Sequence, residues 1–100
     1  MVYFVNCFEI PAGEEERFLG LWRGVNAYMA IKPGYVSHRL HRSMAPDARF
    51  RFVNYAEWTS AELFEAAHDD GFRHLLADPQ WRDFVPNGGL YEAIHEGPQQ

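Results

Sequence analysis

The chain reads as an α+β sandwich of the ferredoxin-like kind: a four-stranded antiparallel sheet with two helices on one face, in the order βαββαβ. Three observations predict it. Apolar and aromatic residues alternate with period two near the N-terminus and again from Phe50 to Trp58. Between them, from Glu14 to Met29, they recur every three or four residues. Pro and Gly residues separate the periodic runs and divide the chain into six elements.

The first strand, residues 2 to 10, alternates Val2, Phe4, Asn6 and Phe8 against Tyr3, Val5, Cys7 and Glu9, and Pro11 with Gly13 ends it. Phe18, Leu21, Trp22, Val25 and Met29 then mark a helix of about four turns, with Glu14, Glu15 and Glu16 where a helix N-terminus favours negative charge. Lys32, Pro33 and Gly34 turn the chain into a second strand, Tyr35 to Ser43. Met44 to Arg49 is a turn, and the strand from Phe50 to Trp58 completes a hairpin. Thr59 or Ser60 caps a second helix whose Leu63, Phe64 and Ala67 face inward. Asp69, Asp70 and Gly71 interrupt it, and Phe72 to Leu76 form a further short turn of helix. Pro79 and Pro86 bound an irregular segment carrying Trp81 and Phe84, and Leu90 to His95 is read as the last strand. Residues 1–96 make one domain, and 97–100 read as a frayed tail.

Composition narrows the functional classes. Hydrophobic residues are 47% of the chain and aromatics 16%, too many for disorder. No apolar run has the ~18 residues of a membrane span, so no membrane partner is expected. MVYFVNCFEI lacks the basic start and small-residue cleavage site of a secretory signal, which makes a cytoplasmic location the expectation. With 9 basic and 14 acidic residues the formal charge is −5, which gives no electrostatic reason for a nucleic-acid partner. Arg39, Arg42, Arg49 and Arg51 form the one basic concentration, read as the solvated face of two adjacent strands. Cys7 is alone, which excludes an intrachain disulfide and a cysteine zinc cluster. The five histidines do not suggest a metal: His38 and His41, three apart on a strand, point to opposite faces, and His68 and His74 lie well round a helix from each other.

Period two places Phe50, Phe52, Asn54, Ala56 and Trp58 on one strand face. An amide and an indole N–H on an otherwise apolar face require hydrogen-bond partners, either a ligand or backbone and water. The other face is apolar too: Val53 and Tyr55 oppose Phe52 and Trp58. With helices on one side only, a second copy of the chain is the simplest cover, and a homodimer is expected.

The order of elements, the PGY of Pro33 to Tyr35 and the VNYAEW of Val53 to Trp58 resemble the antibiotic biosynthesis monooxygenase family, over nearly the whole chain from Val2 to Glu96. The resemblance implies a dimeric ferredoxin-like α/β barrel. Asn54, Tyr55, Ala56 and Trp58, with an aromatic six residues on, are similar to the cofactor-free oxygenases that convert phenolic aromatic polyketides to quinones with O2. In that branch the later aromatic is Tyr; here it is Phe64. The resemblance implies catalytic roles for Asn54 and Trp58, no cofactor, and a small aromatic substrate contacted by Phe52, Phe64, His68, Arg73, His74 and Asn6. Two other readings stand beside it. A haem-degrading monooxygenase of the same fold would use Asn6 and the FEAAH of Phe64 to His68, although Trp58 precedes the helix. A non-catalytic small-molecule binding module would keep the barrel without turnover.

Overall fold

A computed structural model describes residues 1–98; the last two residues of the expected tail, Gln99 and Gln100, lie outside the described residues. The strands are β1 (Val2–Glu9), β2 (Tyr35–Arg42), β3 (Phe52–Trp58) and β4 (Val85–Tyr91). The helices are α1 (Glu15–Met29), α2 (Ala61–Ala67) and α3 (Asp70–Leu76), and a 3₁₀ turn spans Pro79–Asp83. One antiparallel sheet runs β2-β3-β1-β4, the ferredoxin-like order, with the helices on one face. No helix among the described residues is long and apolar enough to cross a membrane.

The last strand differs from the expectation of Leu90 to His95: β4 begins at Val85 and ends at Tyr91. Pro86, Gly88 and Gly89 read as breakers, but β4 is an edge strand with β1 as its sole neighbour, where a residue lacking an N–H is tolerated. Gly88 has a packing reason, since a Cβ there would lie 2.9 Å from Cζ of Phe4. The segment read as irregular is ordered by the 3₁₀ turn, with Asp78 Oδ1 accepting the Gln80 N–H. β1, β2 and β3 stop one or two residues inside their expected limits.

Local capping explains the helix boundaries. Ser60, in extended conformation, accepts the Leu63 N–H and starts α2. Asp69 accepts the Phe72 N–H and starts α3, so the Asp69–Gly71 interruption is a new helix start. At the end of α1, Gly34 adopts φ 91°, and a Cβ there would collide with Leu63, 2.7 Å away.

Between sheet and helices the interior has two parts. Phe8, Phe18, Phe52 and Phe84 form one cluster, with Phe18 stacked on Phe52 at 5.1 Å and edge-on to Phe84 at 5.4 Å. Met29, Ala56, Trp58 and Ala67 form the other. The outer sheet face carries Tyr3 stacked on Tyr55 at 5.6 Å, with Tyr55 39% exposed.

Candidate functional site

Around the second cluster the helices do not close on the sheet. A cavity of about 240 Å³ lies between the inner sheet face and α1, α2 and α3. At ~30 Å³ per liquid water this is space for roughly eight waters, near the lower end of the ~300–1,000 Å³ of ordinary ligand pockets. Its wall is largely aromatic and aliphatic, and among the described residues no Asp, Glu, Lys or Arg lines it. The residues with polar groups in its lining are Asn6, Asn26, Tyr35, Asn54 and His68, with the indoles of Trp22, Trp58 and Trp81.

Strand pairing brings the two asparagines together: Asn6 of β1 lies directly opposite Asn54 of β3. Their situations differ. Asn6 Oδ1 accepts the backbone N–H of Asn87 at 3.0 Å. Asn54 is 9% exposed, and its Oδ1 is the one enclosed side-chain oxygen or nitrogen among the described residues without a hydrogen-bond partner. Leaving such a group unmet costs about 1–3 kcal/mol, so the sequence carries a polar residue here against its own stability.

Trp58, 2% exposed, is fixed on two sides. Tyr35 packs edge-on to it at 5.0 Å, and Phe64 edge-on at 5.6 Å. Phe64 also meets Phe4 at 5.0 Å, which sets it over β1, whereas Tyr35 stands on β2. His68 follows the last residue of α2, where helix carbonyls lack partners, and its Nδ1 lies 2.6 Å from the Phe64 carbonyl. A carbonyl only accepts, so Nδ1 carries the proton and, in the neutral ring, Nε2 keeps its lone pair. Phe64 and Phe72 hold the imidazole between them at 4.4 and 4.5 Å.

A second polar group lies on the α1–β2 side. The Tyr35 hydroxyl donates to Asn26 Oδ1 at 3.0 Å, and Asn26 Nδ2 lies 3.4 Å from His38 Nε2. Burial pushes the Tyr35 phenol up to about 12, so it remains neutral. Behind the cavity, Asp69 receives the Tyr28 hydroxyl at 2.6 Å and pairs with Lys32, tying the end of α1 to the start of α3. The Lys32 ammonium first, then the Tyr28 hydroxyl and the Phe72 N–H, hold the Asp69 carboxyl well below the usual carboxylate range.

Of the residues singled out in the sequence, Asn6, Asn54, Trp58, Phe64 and His68 line the cavity. Three do not. Phe52 is 3% exposed within the phenylalanine cluster, because α1 lays Phe18 over that end of β3. Arg73 turns outward to the His68 carbonyl and to Asp70. His74, on the last turn of α3, lies outside the lining and on a separate helix segment from His68. Tyr35, Asn26 and His38 are not among the residues singled out in the sequence; the signal it carries for them is an asparagine at 26, four after Trp22 on the apolar stripe of α1. Among the described residues no group of three or more His, Cys, Asp or Glu is placed to hold a metal ion.

Comparison with known proteins agrees with this architecture. The family model described as antibiotic biosynthesis monooxygenase matches residues 1–86. The deoxynogalonate monooxygenase of Streptomyces nogalater is 33% identical over 93 residues, which is 93% of this chain and 67% of that protein. The crystal structure of SnoaB, a cofactor-independent oxygenase from Streptomyces nogalater, superposes with TM-score 0.81 at 29% identity, covering 98% of this chain and 97% of that one. A variant of MhuD, solved with manganese protoporphyrin IX, superposes with TM-score 0.75 over 99% of this chain and all of that one, but at 18% identity it shares the fold alone. With the family model matching residues 1–86 and a relative 33% identical over 93 residues, the protein belongs to the antibiotic biosynthesis monooxygenase family.

Proposed function

We propose that the protein is a cofactor-independent monooxygenase that oxidises a phenolic, polycyclic aromatic of the polyketide type to a quinone with O2. The observation that carries this reading is Asn54 Oδ1, enclosed and without a partner in a largely apolar cavity with no charged lining, beside Trp58. An aromatic ring fits the wall, and a hydroxyl on it can donate the hydrogen bond that Asn54 Oδ1 lacks. The similarity to SnoaB and to deoxynogalonate monooxygenase supports the same chemistry.

In this reading the phenol first loses its proton to His68 Nε2, which the Phe64 carbonyl keeps free of hydrogen. The phenolate passes one electron to O2, and the two radicals join in a C–O bond to form a peroxide. The peroxide takes up a proton; its O–O bond then breaks as the same carbon loses hydrogen. One oxygen stays in the quinone and the other leaves as water, so phenol plus O2 balances quinone plus water. Asn54 and Trp58 hydrogen-bond the oxygens that gain charge, as neutral donors in a cavity that excludes bulk water.

The haem reading fits the residues poorly. Among the described residues no Lys or Arg lines the cavity to meet the propionates. Incubating a naphthol or anthrone with the protein under oxygen tests the oxygenase reading. Quinone absorbance should form with the wild type and fall by about a hundredfold or more in Asn54→Ala, with a marked loss in Trp58→Phe. Equal rates in all three proteins would refute the assigned roles. We propose also that the open sheet face, with Tyr3 and Tyr55, packs against a second copy; a monodisperse monomer in light scattering at micromolar concentration would exclude this.

A further inference from the structure

The Tyr35–Asn26–His38 chain has a direction, and that direction defines a second substrate contact. Asn26 carries one acceptor and one donor group on its amide. Its Oδ1 receives the Tyr35 hydroxyl, and its Nδ2 faces His38 Nε2. An amide nitrogen only donates, so in this arrangement Asn26 Nδ2 is the donor toward His38 Nε2 and Asn26 Oδ1 is left to accept from Tyr35. The Tyr35 hydrogen is thereby engaged by Asn26, its neighbour in the cavity wall. What Tyr35 Oη retains is its lone pairs.

The geometry points to Tyr35 as a specificity-determining residue that accepts a hydrogen bond from a second hydroxyl of the aromatic substrate, with Asn26 and His38 as positioning residues. The inference rests on the oxygenase reading of the cavity and adds a requirement to it. The reacting phenol meets His68 and Asn54; the further O–H lies on the β2 side of Trp58, across from Phe64. Burial supports the assignment, because it keeps Tyr35 a neutral phenol rather than a phenolate. A free O–H is then preferred to the corresponding methyl ether, since an ether oxygen brought against an oxygen acceptor has no hydrogen to share.

The test is equilibrium binding, by calorimetry without turnover, of a dihydroxynaphthalene and its monomethyl ether to the intact protein. The wild type should bind the diol about tenfold more tightly than the ether. In Tyr35→Phe the ratio should fall to roughly twofold or less, through loss of affinity for the diol. Asn26→Leu frees the Tyr35 hydrogen to donate into the cavity, so there the ratio should fall through a gain of affinity for the ether. A merely structural role for Asn26 would weaken both ligands together. If the wild type shows no preference, or Tyr35→Phe keeps it, Tyr35 is not the contact and the oxygenase reading stands. If the wild type binds neither compound, the reading of the cavity falls and the inference falls with it.

Discussion

The inner face of β3 passes through two different interiors within seven residues. At Phe52 the face is closed: Phe8, Phe18 and Phe84 share its cluster, Phe18 stacks on it, and of these four rings Phe8 alone reaches the cavity. At Asn54 to Trp58 the same face is open: the strand presents an unpartnered amide, a methyl group at Ala56 and an indole to a cavity. Both ends are equally well buried from solvent, so burial does not distinguish them. What differs is whether neighbouring side chains fill the volume. The filled end holds the sheet to α1; the unfilled end keeps a polar group unsatisfied, a local cost that functional sites carry and that the packed end offsets.

The largest effect that could break this comparison is at Phe18, which is fully buried. Phe18→Ala should cost about 3–5 kcal/mol in denaturant unfolding, a large share of an ordinary domain's stability. Phe64→Ala, half-buried beside existing space, should cost clearly less. Equal losses would mean that the two ends are packed alike.

A smaller effect concerns the brace behind the cavity. The Asp69 carboxyl is depressed by Lys32 and Tyr28, so its contribution is present above the usual carboxylate pKa, near 4, and is lost as pH falls below it. Asp69→Asn should therefore lose less stability than the wild type between about pH 5 and pH 2, by circular dichroism melts across that range. Parallel acid limbs would remove Asp69 from the account.

The smallest effect lies at alkaline pH. Tyr35 is raised to about 12, so above pH about 10 the unfolded chain ionises this phenol before the folded one does, and stability declines as pH rises toward 12. Tyr35→Phe should flatten that decline. In ultraviolet titration of the folded protein, Tyr35 should ionise late among the five tyrosines, and its share of the late step should be absent from the variant while that of Tyr3, also raised by burial, remains.

The closed and open ends were not equally legible in the sequence. β1 and β3 are plain because aromatic and β-branched residues dominate both runs, and the two-residue period of a strand places Asn54 and Trp58 on one face. β4 was displaced because Pro86, Gly88 and Gly89 carry turn chemistry on an edge strand, where Gly88 makes room for Phe4. Phe52 was assigned to substrate because strand alternation says which face a side chain joins, not which helix residue lies above it. Tyr35 and His38 were hidden by a bulge between Tyr35 and Ser37. Three apart, they should point to opposite faces by period two. The extra residue places both on the inner face, with ring centroids 6.0 Å apart, next to Asn26.

The central claim, that the open end of β3 keeps Asn54 for chemistry and not for folding, is tested most directly by Asn54→Leu, with unfolding free energy and naphthol-to-quinone turnover measured on the same preparation. Stability should be unchanged or raised by about 1 kcal/mol, because the side chain with the unmet Oδ1 is replaced by an apolar group of similar size, and turnover should fall about a hundredfold. Stability lowered by about 2 kcal/mol with turnover intact would contradict it.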